Sequence, residues 1–146
     1  MPGYIDSNIL GFLNIINLCS EFKVEKLIYA SSSSVYGSSK DVPYKEGSNL
    51  EPISLYGKTK LFNELISESY TKRNSLQAIG LRFFTVYGPW GRPDMAPMIF
   101  TKAILGKEKI NVFNNGIMQR DFTFIDDIVE GIVRCILKPV KFNDQD

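Results

Sequence analysis

An α/β fold with a mostly parallel sheet is what this sequence predicts, on three observations. Apolar runs of strand composition, Lys26–Ala30 and Gln77–Phe84, alternate with longer stretches of helical periodicity, the order that gives parallel strands joined by helices. The 146 residues are enough for one domain with a real core. The composition, 44% hydrophobic and 23% charged, is that of an ordinary globular chain.

Taken in order, the first element is a mostly buried helix from Ser7 to about Cys19. Ile9, Phe12, Leu13, Ile16 and Leu18 carry its periodicity, and Asp6 or Ser7 is the expected cap. Lys26–Ala30 reads as a buried strand that runs into four serines, Ser31 to Ser34. Residues 37–54, rich in Gly, Pro, Ser and charge, read as a long loop, a kind of segment that is often functional. A helix follows from about Ser54 to Thr71, with Leu61, Leu65 and Ile66 for packing. Gln77–Phe84 is the second strand. Val86 to Pro93 is a loop dense in Gly and Pro. Met95 to Leu105 is helical, with Gly106 suited to its end. Ile110–Phe113 is expected as a short strand, Asn114-Asn115-Gly116 as a turn, and Gln119–Phe124 as a second extended piece. Asp126 and Asp127 open a last helix, Ile128 to Leu137, where acidic residues favour the N-terminus. The polar tail after Pro139 is expected to fray.

A net charge of +1 gives no reason to expect a nucleic-acid partner. Without any histidine, acid–base work falls to Tyr, Lys, Asp, Glu or Cys. Cys19 and Cys135 are far apart, lack metal spacing and sit in apolar helical stretches, so buried free thiols and no metal site are expected. No signal peptide, membrane-spanning run or internal repeat is present, which makes the cytoplasm the expected location.

The chemistry concentrates at Tyr56-Gly57-Lys58-Thr59-Lys60. Tyr56 and Lys60 are four apart and share one face of a helix. An ammonium beside a phenol favours the phenolate, so the two form a usable proton-transfer pair. Upstream, Ala30-Ser31-Ser32-Ser33-Ser34-Val35-Tyr36-Gly37 places hydroxyls at a strand end, where one could share a substrate oxygen with the tyrosine.

With serines ending one strand and Ser54-Leu55-Tyr56-Gly57-Lys58-Thr59-Lys60 opening the helix beyond the loop, the chain resembles the extended short-chain dehydrogenase/reductase family, and within it the nucleotide-sugar epimerases. Asn8 with Gly11 is a further mark, and the resemblance covers nearly the whole chain. It implies a partial Rossmann-like, doubly wound sheet, with residues 1–146 as one incomplete NAD(P)-binding domain and the beginning of a small substrate-binding region at about 85–125. No glycine-rich phosphate fingerprint follows a first strand, and no acidic residue for an adenosine ribose lies beyond it. The family carries that half first. The chain is therefore expected to be the central part of such an enzyme, and by itself to bind NAD weakly and be inactive.

The implied chemistry is reversible oxidation of a sugar hydroxyl with NAD as cofactor. Tyr56 would take the proton of the C4 hydroxyl, Lys60 would hold the cofactor ribose, and Ser32 would hydrogen-bond the same sugar oxygen. Ser32 stands three positions before Val35, where the family places its Ser or Thr. Ser7, Asn8, Ala30, Ser31 and Phe84 join Tyr56 and Lys60 as implied cofactor contacts. The dehydratase branch has Asp-Glu after that Ser or Thr; Ser33-Ser34 here cannot do that acid–base work, which favours an epimerase.

Ser33, Thr85 and Arg92 match positions around the sugar C6 group in UDP-glucuronate 4-epimerases, and the run Tyr87 to Ala96 is similar to that subfamily. An arginine fork suits a carboxylate. Arg120, in Gln-Arg-Asp-Phe, matches the family's diphosphate clamp, and the resemblance implies that Asn111, Val112 and Phe113 would lie along the nucleotide. The expectation is an NAD-dependent epimerase interconverting UDP-glucuronate and UDP-galacturonate. A UDP-glucose 4-epimerase, another nucleotide-sugar enzyme of the family, or a truncated non-catalytic fragment are the alternatives. The resemblance also implies a homodimer through the helix near Ile9–Leu18 and the Tyr56 helix, a UDP-sugar substrate and no membrane partner.

Overall fold

The computed structural model describes residues 2–40, 42–74 and 76–139. The tail after Pro139, predicted to fray, lies outside the described residues. The chain forms two compact units, one running through Phe83 and rejoined from Cys135, the other Phe84–Arg134.

In the first unit, helical backbone begins at Pro2–Tyr4, widens into a π-helical stretch at Ile5–Leu10 and continues as α1, Gly11–Glu21. The expected start at Ser7 is too late. Asp6 and Ser7 lie inside the helical run rather than capping it, and the Asp6 carbonyl accepts from the Gly11 N–H across the wider turn. Nor is the helix mostly buried: Ile16 is its one buried residue in α1, while Leu10, Ile15 and Leu18 are about half exposed. Cys19 and Cys135 are free, as expected, but half-buried rather than buried.

β1 (Lys26–Ala30) pairs in parallel with β2 (Gln77–Leu81), Lys26 opposite Gln77 and Ala30 opposite Leu81. The second strand stops at Leu81, short of Phe84. Beyond that point its carbonyls serve the serines instead: Ser31 N–H donates to Leu81 O at 2.8 Å and Ser33 N–H to Phe83 O at 2.9 Å. α2 (Leu55–Asn74) is capped by Ser54, whose Oγ accepts the Gly57 N–H at 3.0 Å. Besides Gly57, its buried positions among the described residues are the small polar Thr59, Asn63 and Ser67, at helical spacing, and Leu65, expected to pack, is 56% exposed. Thr59 Oγ1 donates to Tyr56 O at 2.8 Å and accepts from Asn8 Nδ2 at 3.0 Å. Ser67 donates to Asn63 O at 2.7 Å, whereas Asn63 Oδ1 is a buried side-chain oxygen with no partner among the described residues.

In the second unit, β3 (Thr85–Tyr87) pairs in parallel with β4 (Phe122–Phe124). Val86 and Tyr87, expected as loop, are therefore strand. α3 (Ala96–Leu105) ends at Gly106, whose N–H donates to Lys102 O and Ile104 O. Residues 110–113 are not a strand. Phe113–Gly116 is a 3₁₀ turn with Asn114 and Asn115 at φ 50° and 51°, a left-handed pair that turns the chain away from pairing. Pairing in the later extended piece is confined to Phe122–Phe124, because β3 offers only three residues.

α4 (Ile125–Leu137) starts directly after β4, with Asp126 and Asp127 in its first turn. Its last residues belong to the first unit, where Lys26 Nζ donates to Cys135 O (3.1 Å), Ile136 O (3.0 Å) and Lys138 O. A cation there complements the helix C-terminus. Among the described residues, no helix is long and apolar enough to cross a membrane.

Candidate active site

The first unit builds a compact polar site where β1 ends. After Ala30 the chain enters a serine turn: Ser32 caps the 3₁₀ turn Ser33–Val35, its Oγ accepting from Ser34 N–H at 3.2 Å and donating to Ser34 Oγ at 3.2 Å. Ser31 and Ser32 are 3% and 8% exposed, so both hydroxyls are buried at the strand end. Val35 and Tyr36 behind them are core residues.

Gly57 brings α2 against this turn. A Cβ there would stand 2.6 Å from Ser34 O and 3.1 Å from Pro52 Cβ, so only glycine permits the approach. The loop between is closed at its base by a bridge from Gly37 to Glu51, and a Cβ at Gly37 would lie 1.7 Å from Glu51 O. Tyr56 and Lys60, one turn apart, are brought together: Lys60 Nζ is 5.8 Å from the Tyr56 ring centroid. Lys60 also donates to Ala30 O at 3.0 Å, which ties the helix to the end of β1. Burial holds the Lys60 ammonium below its ordinary value of 10.5. The Tyr4 ring also lies against Tyr56, with centroids 5.8 Å apart and planes at 51°.

Two residues assigned to the cofactor are engaged inside the unit. Asn8 gives its amide to Thr59, and Ser31 Oγ donates to Glu64. Ser7 is exposed in the π-helical stretch and Ala30 is exposed at the strand end.

The remaining predicted residues belong to the second unit. Phe84 and Thr85 are half-buried at the start of β3. Arg92 Nε donates to Asp94 Oδ1 at 3.0 Å and Nη2 to Oδ2, a bidentate pair with 73% of the arginine side chain exposed. This hydrogen bonding holds the Asp94 carboxyl below its ordinary range. Asn111, Val112 and Phe113 are exposed where the expected strand gives way to a turn, and Arg120 Nη1 donates to Gln119 O at 2.7 Å on an exposed segment.

Against known proteins, residues 2–145 match the model of the NAD dependent epimerase/dehydratase family. The chain belongs to that family. It is 53% identical over 143 residues to Protein CapI of Staphylococcus aureus, covering 97% of this chain and 43% of CapI. It is 47% identical over 138 residues to UDP-glucuronate 4-epimerase 4 of Arabidopsis thaliana, covering 91% of this chain and 32% of that protein. A crystal structure of UDP-glucuronic acid 4-epimerase from Bacillus cereus, in complex with UDP-glucuronic acid and NAD, superposes with a TM-score of 0.89 at 37% identity, over 95% of this chain and 44% of that one. The chain thus spans less than half the length of these relatives. The α/β class with parallel strands is that of the epimerases and dehydratases of this family.

Sequence reasoning missed four site-adjacent residues of this epimerase/dehydratase chain: Glu64, Arg82, Tyr4 and Asp94. For Glu64 a signal existed, since positions 56, 60 and 64 share one helical face. Asp94 stands two residues from Arg92, and the opposite charge was readable. Arg82 and Tyr4 reach the site only through tertiary packing.

Proposed function

We propose that this chain is part of an NAD-dependent UDP-sugar 4-epimerase acting on UDP-glucuronate and UDP-galacturonate. The observation that carries the reading is the union of Tyr56 and Lys60 on the face of α2 that meets the end of β1, next to a buried serine turn, in a member of the epimerase/dehydratase family.

The residues present fit the nicotinamide–ribose end of NAD. Ligands of open parallel sheets bind at the carboxyl ends of the strands, and there Lys60 presents a half-buried ammonium whose one hydrogen-bond partner among the described residues is Ala30 O. Tyr56 and Lys60 would hold that end, with Ala30 and Ser7 bordering it; Phe84, in the second unit, keeps its cofactor assignment by resemblance alone. Ser31 and Asn8 would border it, the Ser31 hydroxyl hydrogen being given to Glu64 and one of the two Asn8 amide hydrogens to Thr59. When bound, NAD supplies a hydride acceptor and donor for the sugar C4. Tyr56 as phenolate would accept the C4 hydroxyl proton and return it, and Ser32 would hold the same oxygen.

In the second unit, Arg92 is assigned to the uronate carboxylate and Thr85 to the same sugar C6 group; Ser33, in the first unit, carries the C6 assignment by resemblance alone. Arg120 is assigned to the diphosphate, and Asn111, Val112 and Phe113 to the nucleotide. Asp94 already occupies the Arg92 fork with a carboxylate. An exposed pair of this kind is weak and can yield to a substrate carboxylate of the same geometry. A second copy of the chain is assigned to the exposed Ile15, Leu18 and Leu65 of α1 and α2. Light scattering tests that assignment, and a monomer at high concentration would count against it.

The test of function is kcat/KM for UDP-glucuronate and UDP-glucose, on wild type and Arg92→Ala, in the protein encoded by the complete reading frame that contains this sequence. Losing hydrogen bonds to a charged group is worth roughly 10–100-fold. The uronate should fall by that factor while the neutral hexose changes little. An equal fall for both substrates would make Arg92 structural, and a wild type that prefers UDP-glucose would favour the UDP-glucose 4-epimerase reading.

A further inference from the structure

Behind the serine turn lies a polar cluster that the proposed chemistry does not use. Glu64 is one turn beyond Lys60 on α2, and its carboxylate accepts from three groups. Ser31 Oγ donates to Oε1, Arg82 Nε donates to Oε1 at 3.0 Å, and Arg82 Nη2 donates to Oε2 at 2.8 Å. The pair is largely removed from solvent, with 19% of the arginine and 15% of the glutamate side chain exposed. Arg82 Nη1 reaches Tyr36 OH at 3.1 Å and Glu46 O at 3.0 Å, and its guanidinium lies 5.0 Å from the Tyr36 ring centroid. Tyr36 in turn stacks on Tyr44, 4.5 Å away and 3° from parallel.

These contacts grip both ends of the serine turn. Ser31 is held through Glu64, and Tyr36 is held by Arg82. The residues on either side of Arg82 accept the backbone of the same turn: Leu81 O takes Ser31 N–H and Phe83 O takes Ser33 N–H. On the helix, successive turns serve successive residues, Lys60 bonding Ala30 O and Glu64 bonding Ser31 Oγ. Ser32, between the gripped ends, has side-chain bonds only to Ser34 among those the structure gives. Its place relative to α2 is therefore set by its neighbours. A planar bidentate arginine suits this task because its fork fixes direction as well as distance.

We propose that Glu64 and Arg82 are positioning residues that clasp the serine turn to α2 and so set Ser32 against Tyr56. The proposal rests on the reading of Ser32 and Tyr56 as the groups that act on the sugar C4 oxygen. An error in position of about 1 Å can cost 10²-fold in rate, so the clasp should appear in turnover as well as in stability.

The test uses wild type, Ser31→Ala, Glu64→Gln, the double variant and Glu68→Gln, in the protein encoded by the complete reading frame. Glu68 is on the same helix in an exposed pair with Lys72 and controls for loss of charge. Amide hydrogen exchange of Ser33–Val35 is measured without NAD or sugar. Ser31→Ala and Glu64→Gln should each speed it about tenfold or more. The double variant should match Glu64→Gln, and Glu68→Gln should match wild type. In epimerisation, kcat of Glu64→Gln should fall about tenfold or more with KM changed less than about twofold.

Unchanged exchange in a folded Glu64→Gln overturns the clasp. If that variant fails to fold, Ser31→Ala decides, since it leaves the ion pair intact. Faster exchange with wild-type kcat overturns the positioning role. A wild type that epimerises no UDP-sugar refutes the proposed function instead, and the exchange rates then decide the clasp on their own.

Discussion

Gly57→Ala sets two effects against each other. In a helix interior alanine is favoured over glycine by about 1 kcal/mol, which would stabilise α2. The new Cβ, however, would stand 2.6 Å from Ser34 O, and ordinary contact begins at 3.4 Å, so helix start and serine turn must separate by about 0.8 Å. The obstructing atom is backbone, which cannot swing aside as a side chain would. Overpacking of this kind costs roughly 1–3 kcal/mol, so the net change in stability should be near zero to about 2 kcal/mol unfavourable. The rate should suffer more. Tyr56 precedes Gly57 and moves with it, and a displacement approaching 1 Å is worth about 10–10²-fold in kcat. The assay pairs thermal unfolding with kcat on the same preparation of the protein encoded by the complete reading frame that contains this sequence. A variant that melts higher than wild type and turns over at the wild-type rate would refute the reasoning, because propensity alone would then account for Gly57.

Other outcomes follow from the same geometry. Burial favours the neutral Lys60 amine, so between its lowered value and 10.5 the unfolded chain binds more protons and stability contributed by this group rises with pH. Denaturant titrations as pH approaches 10.5 should show that rise in wild type and a flatter curve in Lys60→Met. Arg92→Ala should let the Asp94 carboxyl return to the ordinary aspartate range, because its fork of hydrogen bonds is what holds it down; a carboxylate NMR titration reads this directly. Leu76, fully buried, should cost about 2–5 kcal/mol on truncation to alanine, whereas Leu65→Ala on the exposed face of α2 should stay within about 0.5 kcal/mol. Urea unfolding distinguishes the two.

What the sequence made legible was local. The four-residue spacing of Tyr56 and Lys60 needs only helical periodicity, and the serines at the end of Lys26–Ala30 need only a strand boundary. The parallel pairing of β1 with β2 followed from the alternation of strands and helices. Features set by tertiary contact were not legible. Leu65 looked like a packing residue, yet the side of α2 that is buried is the polar Thr59, Asn63 and Ser67. The Glu64–Arg82 pair joins residues eighteen apart that meet only when α2 lies across the end of β2. Ile110–Phe113 had strand composition, but two asparagines in left-handed geometry turned it aside, a choice that composition alone does not reveal.

The central claim is that the Tyr56 hydroxyl moves the proton at the sugar C4. The direct measurement is steady-state conversion of UDP-glucuronate to UDP-galacturonate by wild type and Tyr56→Phe, in the protein encoded by the complete reading frame. Phenylalanine keeps the ring that lies against Lys60 and Tyr4 and deletes only the hydroxyl. A lost general acid–base group predicts a fall in kcat of about 10²–10⁴-fold with KM little changed. Wild-type turnover by Tyr56→Phe would contradict the account at its centre.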